Sequence, residues 1–448
     1  MSYEAAVAHI YALGYELADT PSRKFDLAYM RVLLHAMGNP ERRFRNVLIA
    51  GTNGKGSTAA TLASILKASR LRSGLYTSPH LVRVNERIRV NGTEIGDEDF
   101  ASLYATTERI AEHLVGSGKL PWHPSFFEML TAIAFQFFSQ QNLDLAVLEV
   151  GMGGRLDATN VVEPILSVIT DISLDHEKFL GETVGVIARE KAGIMRPGGV
   201  VVTLPQQPEA NNVIGNTALE LDASVVSAVP YVPPVSPASP SYFAGAARDC
   251  VSRYPLYVMG SEIVVETPLV GRHQLRNVGL AIAAAVELAN EGFAITPDSI
   301  ARGIRETRWP GRFEMVAATK EHPEYVFDVA HNPAGAWALR STLSARYPDR
   351  RLIFIFGAMR DKAIPQMTEI LFPLAERVIV TVANNPRSAT TDEIRGAAIR
   401  TSVEIILSGD VPSALEAAQK FAGADGVIVI TGSIYIVGKA MNALGLRI

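Results

Sequence analysis

Eight consecutive residues carry the clearest chemistry in the chain: Gly51-Thr52-Asn53-Gly54-Lys55-Gly56-Ser57-Thr58. Glycines let backbone amides turn inward, and a helix N-terminus adds positive potential, so such a run can cradle phosphate. Lys55 is placed to reach terminal phosphates, with Ser57 and Thr58 as hydroxyl donors. The spacing departs from the usual G-x-x-x-x-G-K-[ST] loop, because Gly51 lies only three residues before Gly54 and Gly56 separates Lys55 from Ser57. A glycine turn with no ligand is the plain alternative. Strand, loop, lysine, hydroxyl and helix nevertheless follow in the order a nucleotide site needs. No G-x-G-x-x-G opens a first strand-helix turn, so ATP fits better than a dinucleotide and a redox role is disfavoured. Two further residues stand out by type. Glu149 ends the otherwise apolar run LDLAVLEV, where a lone acid either caps a loop or does chemistry. Lys191, in IAREKAGIM, falls near the end of an amphipathic stretch, where most lysines are simply solvated.

The elements that must position these groups follow from periodicity. Asn46 to Ala50, Leu145 to Val150 and Leu166 to Thr170 are short apolar runs that end in turn formers, the pattern of buried parallel strands. A helix is expected over Thr58 to Ser69. In open α/β sheets ligands sit at the carboxyl ends of strands, where the polar residues of this half gather. The second half predicts strands at Tyr325 to Ala330, Leu352 to Gly357, Val378 to Ala383, Val403 to Ser408 and Gly426 to Gly432. Helices over 334–346, 391–400 and 411–421 separate them. The expected architecture is α/β: a P-loop ATPase-type parallel sheet domain over 1–308, then a smaller Rossmann-like domain over 309–448. The break falls at Trp309-Pro310-Gly311-Arg312. Pro230, Pro233, Pro234, Pro237 and Pro240 mark a surface loop. Its strand-like flanks, Ala223 to Ala228 and Glu262 to Glu266, suggest a β-rich appendage of the first domain.

The longer motifs resemble the folylpolyglutamate synthase and dihydrofolate synthase family of Mur-ligase-like amide ligases. They are GTNGKGST at 51–58, YTSPHLVRVNERIRVNG at 76–92, LEVGMGGRLDATN at 148–160, DHEKFLG at 175–181 and IAREKAGIMRPG at 187–198. Further along come GRHQLRN at 271–277, WPGRFE at 309–314, DVAHNP at 328–333 and TGSIYIVG at 431–438. The resemblance implies a P-loop domain followed by a Rossmann-like one, with ATP bound between them. It also implies a reaction: ATP phosphorylates a carboxylate, the amine of L-glutamate attacks the acyl phosphate, and phosphate leaves. The acceptor would be dihydropteroate or a reduced folate.

By the same resemblance, Glu149 and Ser78 are magnesium ligands, His176 serves a second ion, and Lys191 carries a carbamate formed from CO2. Lys55, Lys191, His176 and Glu149 are the expected catalytic set. Asn277 is expected near the adenine with His273 and Gln274 close by. Arg312 is expected on the phosphates, Asp328 on the ribose, and His331 and Ser433 beside the nucleotide. Ser125, Phe127, Asp157 and Ala158 match family positions near a pterin; Arg83 and Arg87 could steer anionic folate tails. One departure is Ala363, after Asp361 and Lys362, where relatives usually place an acid.

The bulk numbers agree with a globular enzyme and exclude other classes. The 448 residues are 48% hydrophobic and 20% charged, with a formal net charge of −4. No basic surplus or basic run points to nucleic acid. Cys250 is the single cysteine, which rules out an internal disulfide and a thiolate metal cluster. The N-terminal segment holds Glu4 and Glu16 and does not read as a signal peptide. No run approaches the ~20 apolar residues of a membrane span. The expectation is a cytoplasmic monomer. Two alternatives stay open: a peptidoglycan-precursor amino-acid ligase, or a regulatory nucleotide-binding ATPase. A folate ligase with only the tail-extending activity is a third.

Overall fold

In a computed structural model of the chain, residues 1–14, 26–234, 252–423 and 425–446 are described, and the short apolar runs form buried strands. Two units emerge. One comprises Met1–Val232, Leu256–Ile263 and Asn277–Glu306, the other Pro233–Pro255, Val264–Arg276 and Thr307–Ile448.

The first unit is built on an eight-stranded sheet. Its strands are β1 (Asn46–Ala50), β2 (Ser73–Tyr76), β3 (Ile88–Val90), β4 (Thr93–Glu94), β5 (Leu145–Glu149), β6 (Leu166–Ile169), β7 (Val200–Thr203) and β8 (Ser224–Ser227). They lie in the order β4-β3-β2-β5-β1-β6-β7-β8. All neighbours from β2 to β8 run parallel, while β3 turns back on β2 and β4 on β3. β1 and β5 are buried at every position, so both faces must be covered by helices, as parallel sheets require. Helix Phe126–Gln140 does part of this. Ser125 and Glu128 close a reciprocal capping box at its start, and ten of its residues are buried. Phe135 and Phe138 meet Phe44 at ring distances of 5.9 Å. Each such fully buried ring is worth roughly 1.5–3 kcal/mol.

One expectation needs correction. The run Ala223 to Ala228 does not belong to an appendage; β8 extends the main sheet in parallel with β7. The crossover between them is helix Pro208–Glu220. Pro230 sits in a short 3-10 turn, Val229–Tyr231, whereas Pro237 and Pro240 lie outside the described residues. β9 (Ser252–Val258) and β10 (Ser261–Thr267) form a separate two-stranded sheet.

The second unit has six strands: β11 (Arg312–Val316), β12 (Glu324–Asp328), β13 (Leu352–Phe356), β14 (Arg377–Val380), β15 (Glu404–Leu407) and β16 (Val427–Thr431). Their order is β11-β12-β16-β13-β14-β15, with only β11 antiparallel. Five of them coincide with the strands read from sequence. β11 lacks the clean apolar run that betrays a buried strand, being half-exposed at the sheet edge.

Candidate functional site

Register brings the first cluster together. Ile49 on β1 pairs with Glu149 on β5, Tyr76 on β2 with Leu148, and Ala50 with Ile169 on β6. The carboxyl ends of these four strands therefore deliver Ser78, Glu149, the 51–55 loop and the 170–176 segment to one edge.

The loop is stitched to its neighbour. The amides of Thr52 and Asn53 donate to the Asp171 carbonyl at 2.8 and 3.2 Å, and the Thr170 hydroxyl donates to the Asn53 carbonyl at 2.8 Å. Thr52 exchanges bonds with the backbone of Ser173, and Asn53 reaches the Ser173 hydroxyl. Gly54 has φ +89°, and a Cβ there would collide with the Asn277 side chain, so both conformation and space demand glycine. Helix Lys55–Ala68 begins directly after it; Gly56, Ser57 and Thr58 are buried in its first turn, where amides face outward from the N-terminus.

Two lysines lean on one oxygen. Lys55 Nζ donates to the carbonyls of Gly51 and Thr52 at 3.1 and 3.2 Å. Lys191, on helix Val184–Ala192, is 3% exposed and its Nζ donates to the same Gly51 carbonyl at 2.7 Å. Burial, and secondarily the Lys55 charge, push the Lys191 amine down to about 7. Near neutral pH this amine is thus neutral part of the time, unlike a solvated lysine.

Glu149 is 4% exposed, and its Oε2 accepts the Ser78 amide at 3.1 Å. His176 has left-handed backbone (φ 53°), caps the short helix Glu177–Leu180, and takes its amide to Asp175 Oδ1 at 2.8 Å. Among the described residues no three His, Cys, Asp or Glu side chains converge as a metal cage. Magnesium does not need one, since it is commonly held by one or two carboxylates with phosphate and water completing the shell. Glu149 and the Ser78 hydroxyl supply oxygen donors of the right kind; His176 is the weaker candidate for a hard cation.

The expected pterin residues occupy a nearby patch with strong structural duties. Phe127 packs on Gly151, where a Cβ would strike the ring, and its ring lies 6.1 Å from Tyr76. Asp157 accepts the Met152 and Thr159 amides and the Thr159 hydroxyl, capping the 3-10 turn Ala158–Val161; burial raises its pKa. Ser125 is spent on its capping box with Glu128. Ala158 is buried.

The 77–87 segment departs from expectation. Arg83 is half-exposed but paired with Asp97 at 2.5 Å. Arg87 is 2% exposed, so it cannot attract anions from solvent; its Nε donates to His80 Nδ1 at 2.7 Å. Three residues that sequence reasoning passed over build this loop. Glu86 collects the amides of Leu81, Val82 and Arg83. Asn85 donates to the Ile95 carbonyl, and His80 meets the Tyr11 hydroxyl at 2.8 Å. Buried between an arginine and a tyrosine, His80 is held well below the ordinary histidine range. The available signal was the density of polar residues between two strands.

The second unit gathers its own cluster where β12 and β16 end. Asp328 accepts the amides of Phe313 and Ala330, both at 2.9 Å, and burial lifts it to about 6. Arg312 pairs in register with Asp328, donates to the Pro310 carbonyl and lies over the Trp309 ring. His331 Nδ1 is 2.9 Å from the Val329 carbonyl, and Ser433 caps helix Ile434–Ala443. The Gly432 amide bonds to the Ala330 carbonyl and ties the two strand ends together. Asp361, beside Lys362, is ion-paired with Arg387 at 2.8 Å. His273 lies against Gly271, and Gln274 is buried. Asn277, expected near an adenine, sits buried against the phosphate loop at Gly54.

Residues 49–285 match the Mur ligase middle domain, and residues 311–434 match the Mur ligase, glutamate ligase domain. Fold and site thus define a Mur-type ligase, an ATP-dependent enzyme that makes amide bonds. Within that class the chain belongs to the dihydrofolate synthase/folylpolyglutamate synthase family. It is 34% identical to the Bacillus subtilis enzyme of that name, over 93% of this chain and 94% of the relative. It also resembles the solved structure of Escherichia coli FolC in complex with DHPP and ADP (TM-score 0.84, 28% identity, covering 99% of this chain and 98% of that one). A further likeness is to the Yersinia pestis bifunctional folylpolyglutamate synthase/dihydrofolate synthase complexed with AMPPNP and a Mn ion. There the TM-score is 0.79 at 27% identity, covering 100% of this chain and 98% of that chain. No helix among the described residues is long and apolar enough to cross a membrane.

Proposed function

We propose that the chain adds L-glutamate both to dihydropteroate and to the γ-carboxylate of reduced folates, through an acyl phosphate. The observation that carries this reading is the convergence of Lys55 and Lys191 on the phosphate loop, with Glu149 at the end of the adjacent strand, in a chain with bifunctional relatives. A carboxylate is a poor electrophile. Its oxygen attacks the γ-phosphorus, the P–O bond to ADP breaks, and the acyl carbon gains a good leaving group. The glutamate amine then attacks that carbon, phosphate departs with the C–O bond electrons, and the nitrogen loses a proton.

Lys55 and the amides that open helix Lys55–Ala68 hold the phosphates and offset the charge of two approaching anions. Glu149 and Ser78 would hold magnesium, with His176 reserved for a second ion; the metal supplies neutralisation of phosphate charge. Lys191 suits the carbamate role, because a neutral amine can attack CO2, form the N–C bond and shed a proton. Phe127 offers the face for a pterin, with Ser125, Asp157 and Ala158 shaping its surroundings. Arg83 is the weakest member of that set, given its Asp97 partner. Asn277, Arg312, Asp328, His331 and Ser433 are assigned to ATP. A cytoplasmic monomer completes the reading, to be checked by light scattering.

The mechanism is tested with an acceptor labelled with 18O in its carboxylate. One label should appear in the released phosphate. Label retained wholly in the organic product would rule out the acyl phosphate.

A further inference from the structure

The segment between β2 and β3 is held in two halves. Its ends are paired through the Thr77 amide on the Arg87 carbonyl at 3.0 Å. Its far half is fixed by Glu86, whose carboxylate takes three consecutive amides. Its near half, Ser78 to His80, has different anchors. One is the Ser78 amide on Glu149; the other is the His80 ring.

That ring is gripped from both sides. Arg87 Nε donates to Nδ1, so Nδ1 must be the unprotonated nitrogen and Nε2 must carry the hydrogen. Nε2 then donates to the Tyr11 oxygen at 2.8 Å. Only one tautomer and one ring orientation satisfy both bonds. The two flanking groups share a common support: the Arg87 guanidinium lies 5.3 Å from the Phe126 ring, and Tyr11 stacks on that same ring at 5.4 Å. Phe126 is the first residue of the capped helix that also carries Phe127. The chain Arg87–His80–Tyr11 therefore references the Ser78 segment to the ring platform.

We propose that Arg87, His80 and Tyr11 are positioning residues that aim the Ser78 hydroxyl at the metal–nucleotide site. None of them touches reacting atoms. Their role rests on the reading that Ser78 and Glu149 serve a magnesium–ATP complex. Groups one layer behind metal ligands typically tune affinity by 10- to 100-fold when removed. Loss of the relay should therefore weaken metal-dependent nucleotide binding while leaving the sheet and both cores intact.

The test is a magnesium titration at fixed AMPPNP, followed by calorimetry on the full chain, with Tm measured in parallel. His80→Ala should raise the half-saturating magnesium about tenfold, with His80→Asn, which keeps an acceptor for Arg87, falling between. Tyr11→Phe deletes one oxygen and should shift the same quantity in the same direction, by less than His80→Ala, without lowering Tm appreciably. The double variant His80→Ala/Tyr11→Phe should match His80→Ala alone, because the relay is already broken. Ser78→Ala is the control for the underlying reading. If Ser78→Ala binds normally, Ser78 does not serve the metal and the underlying reading falls, taking the relay with it. If Ser78→Ala is weakened but His80→Ala and Tyr11→Phe titrate like the parent, the relay alone is overturned. Should His80→Ala fail to fold, an unshifted Tyr11→Phe is sufficient to reject it.

Discussion

At the scale of single residues, Lys191 is the most informative group. Its amine, at about 7 when folded against an ordinary value of 10.5, binds fewer protons in the folded chain than in the unfolded chain between those limits. Stability contributed through this residue therefore rises with pH from about 7 to 10.5, and below 7 the fold bears a buried cation. Lys191→Met should raise Tm more at pH 6 than at pH 9, measured without CO2 in the buffer. Equal gains at both pH values would mean the amine is not depressed. The same variant should lose roughly 10²-fold or more in turnover, since a preorganised charge at the phosphoryl site disappears. Lys55→Ala should likewise cut kcat by roughly 10²-fold or more, with Tm little changed because the side chain bonds only to loop carbonyls. A loss confined to KM would show that Lys55 only binds ground-state nucleotide.

Elements raise a different question, because several residues whose types suggested ligand contact are helix or turn caps. Ser125 is the clearest case. As a cap it should cost about 1 kcal/mol when changed to alanine, read as a lower denaturant midpoint at unchanged slope. If Ser125 also touches the acceptor, KM for dihydropteroate rises in Ser125→Gly as well, which keeps most of the cap, and is restored in Ser125→Thr, which keeps the hydroxyl. Glu86→Ala should be more damaging, since three amides lose one acceptor. About 1–3 kcal/mol is expected, with faster hydrogen exchange at Leu81, Val82 and Arg83. Unchanged exchange there would contradict the account of this loop.

These cases show why part of the site was legible in sequence and part was not. Gly54, Lys55 and the helix behind them form a local pattern, so spacing alone reveals it. Buried parallel strands such as β1, β5 and β13 announce themselves as uninterrupted apolar runs. Glu149 was noticed because an acid ends such a run, yet its meeting with Ser78 depends on β2 and β5 lying side by side. His80, Arg87 and Tyr11 are the extreme case. Their grouping brings together Tyr11 and His80, 69 positions apart in the chain, which no local pattern encodes. The edge strand β11 was missed because a half-exposed strand lacks the apolar signature, whereas β8 was read as a strand but its pairing with β7 is one no local pattern encodes.

For the whole molecule, residues 49–285 and 311–434 match two successive Mur ligase domains, and relatives align along nearly the full chain. The central claim is a chemical one about what that chain joins. It is tested most directly by giving the purified protein ATP, magnesium and L-glutamate with either dihydropteroate or tetrahydrofolate, and weighing the products. The account predicts a product one glutamate heavier from each acceptor, formed with ADP. Product from tetrahydrofolate alone would contradict the dual activity, and no product from either would contradict the folate assignment itself.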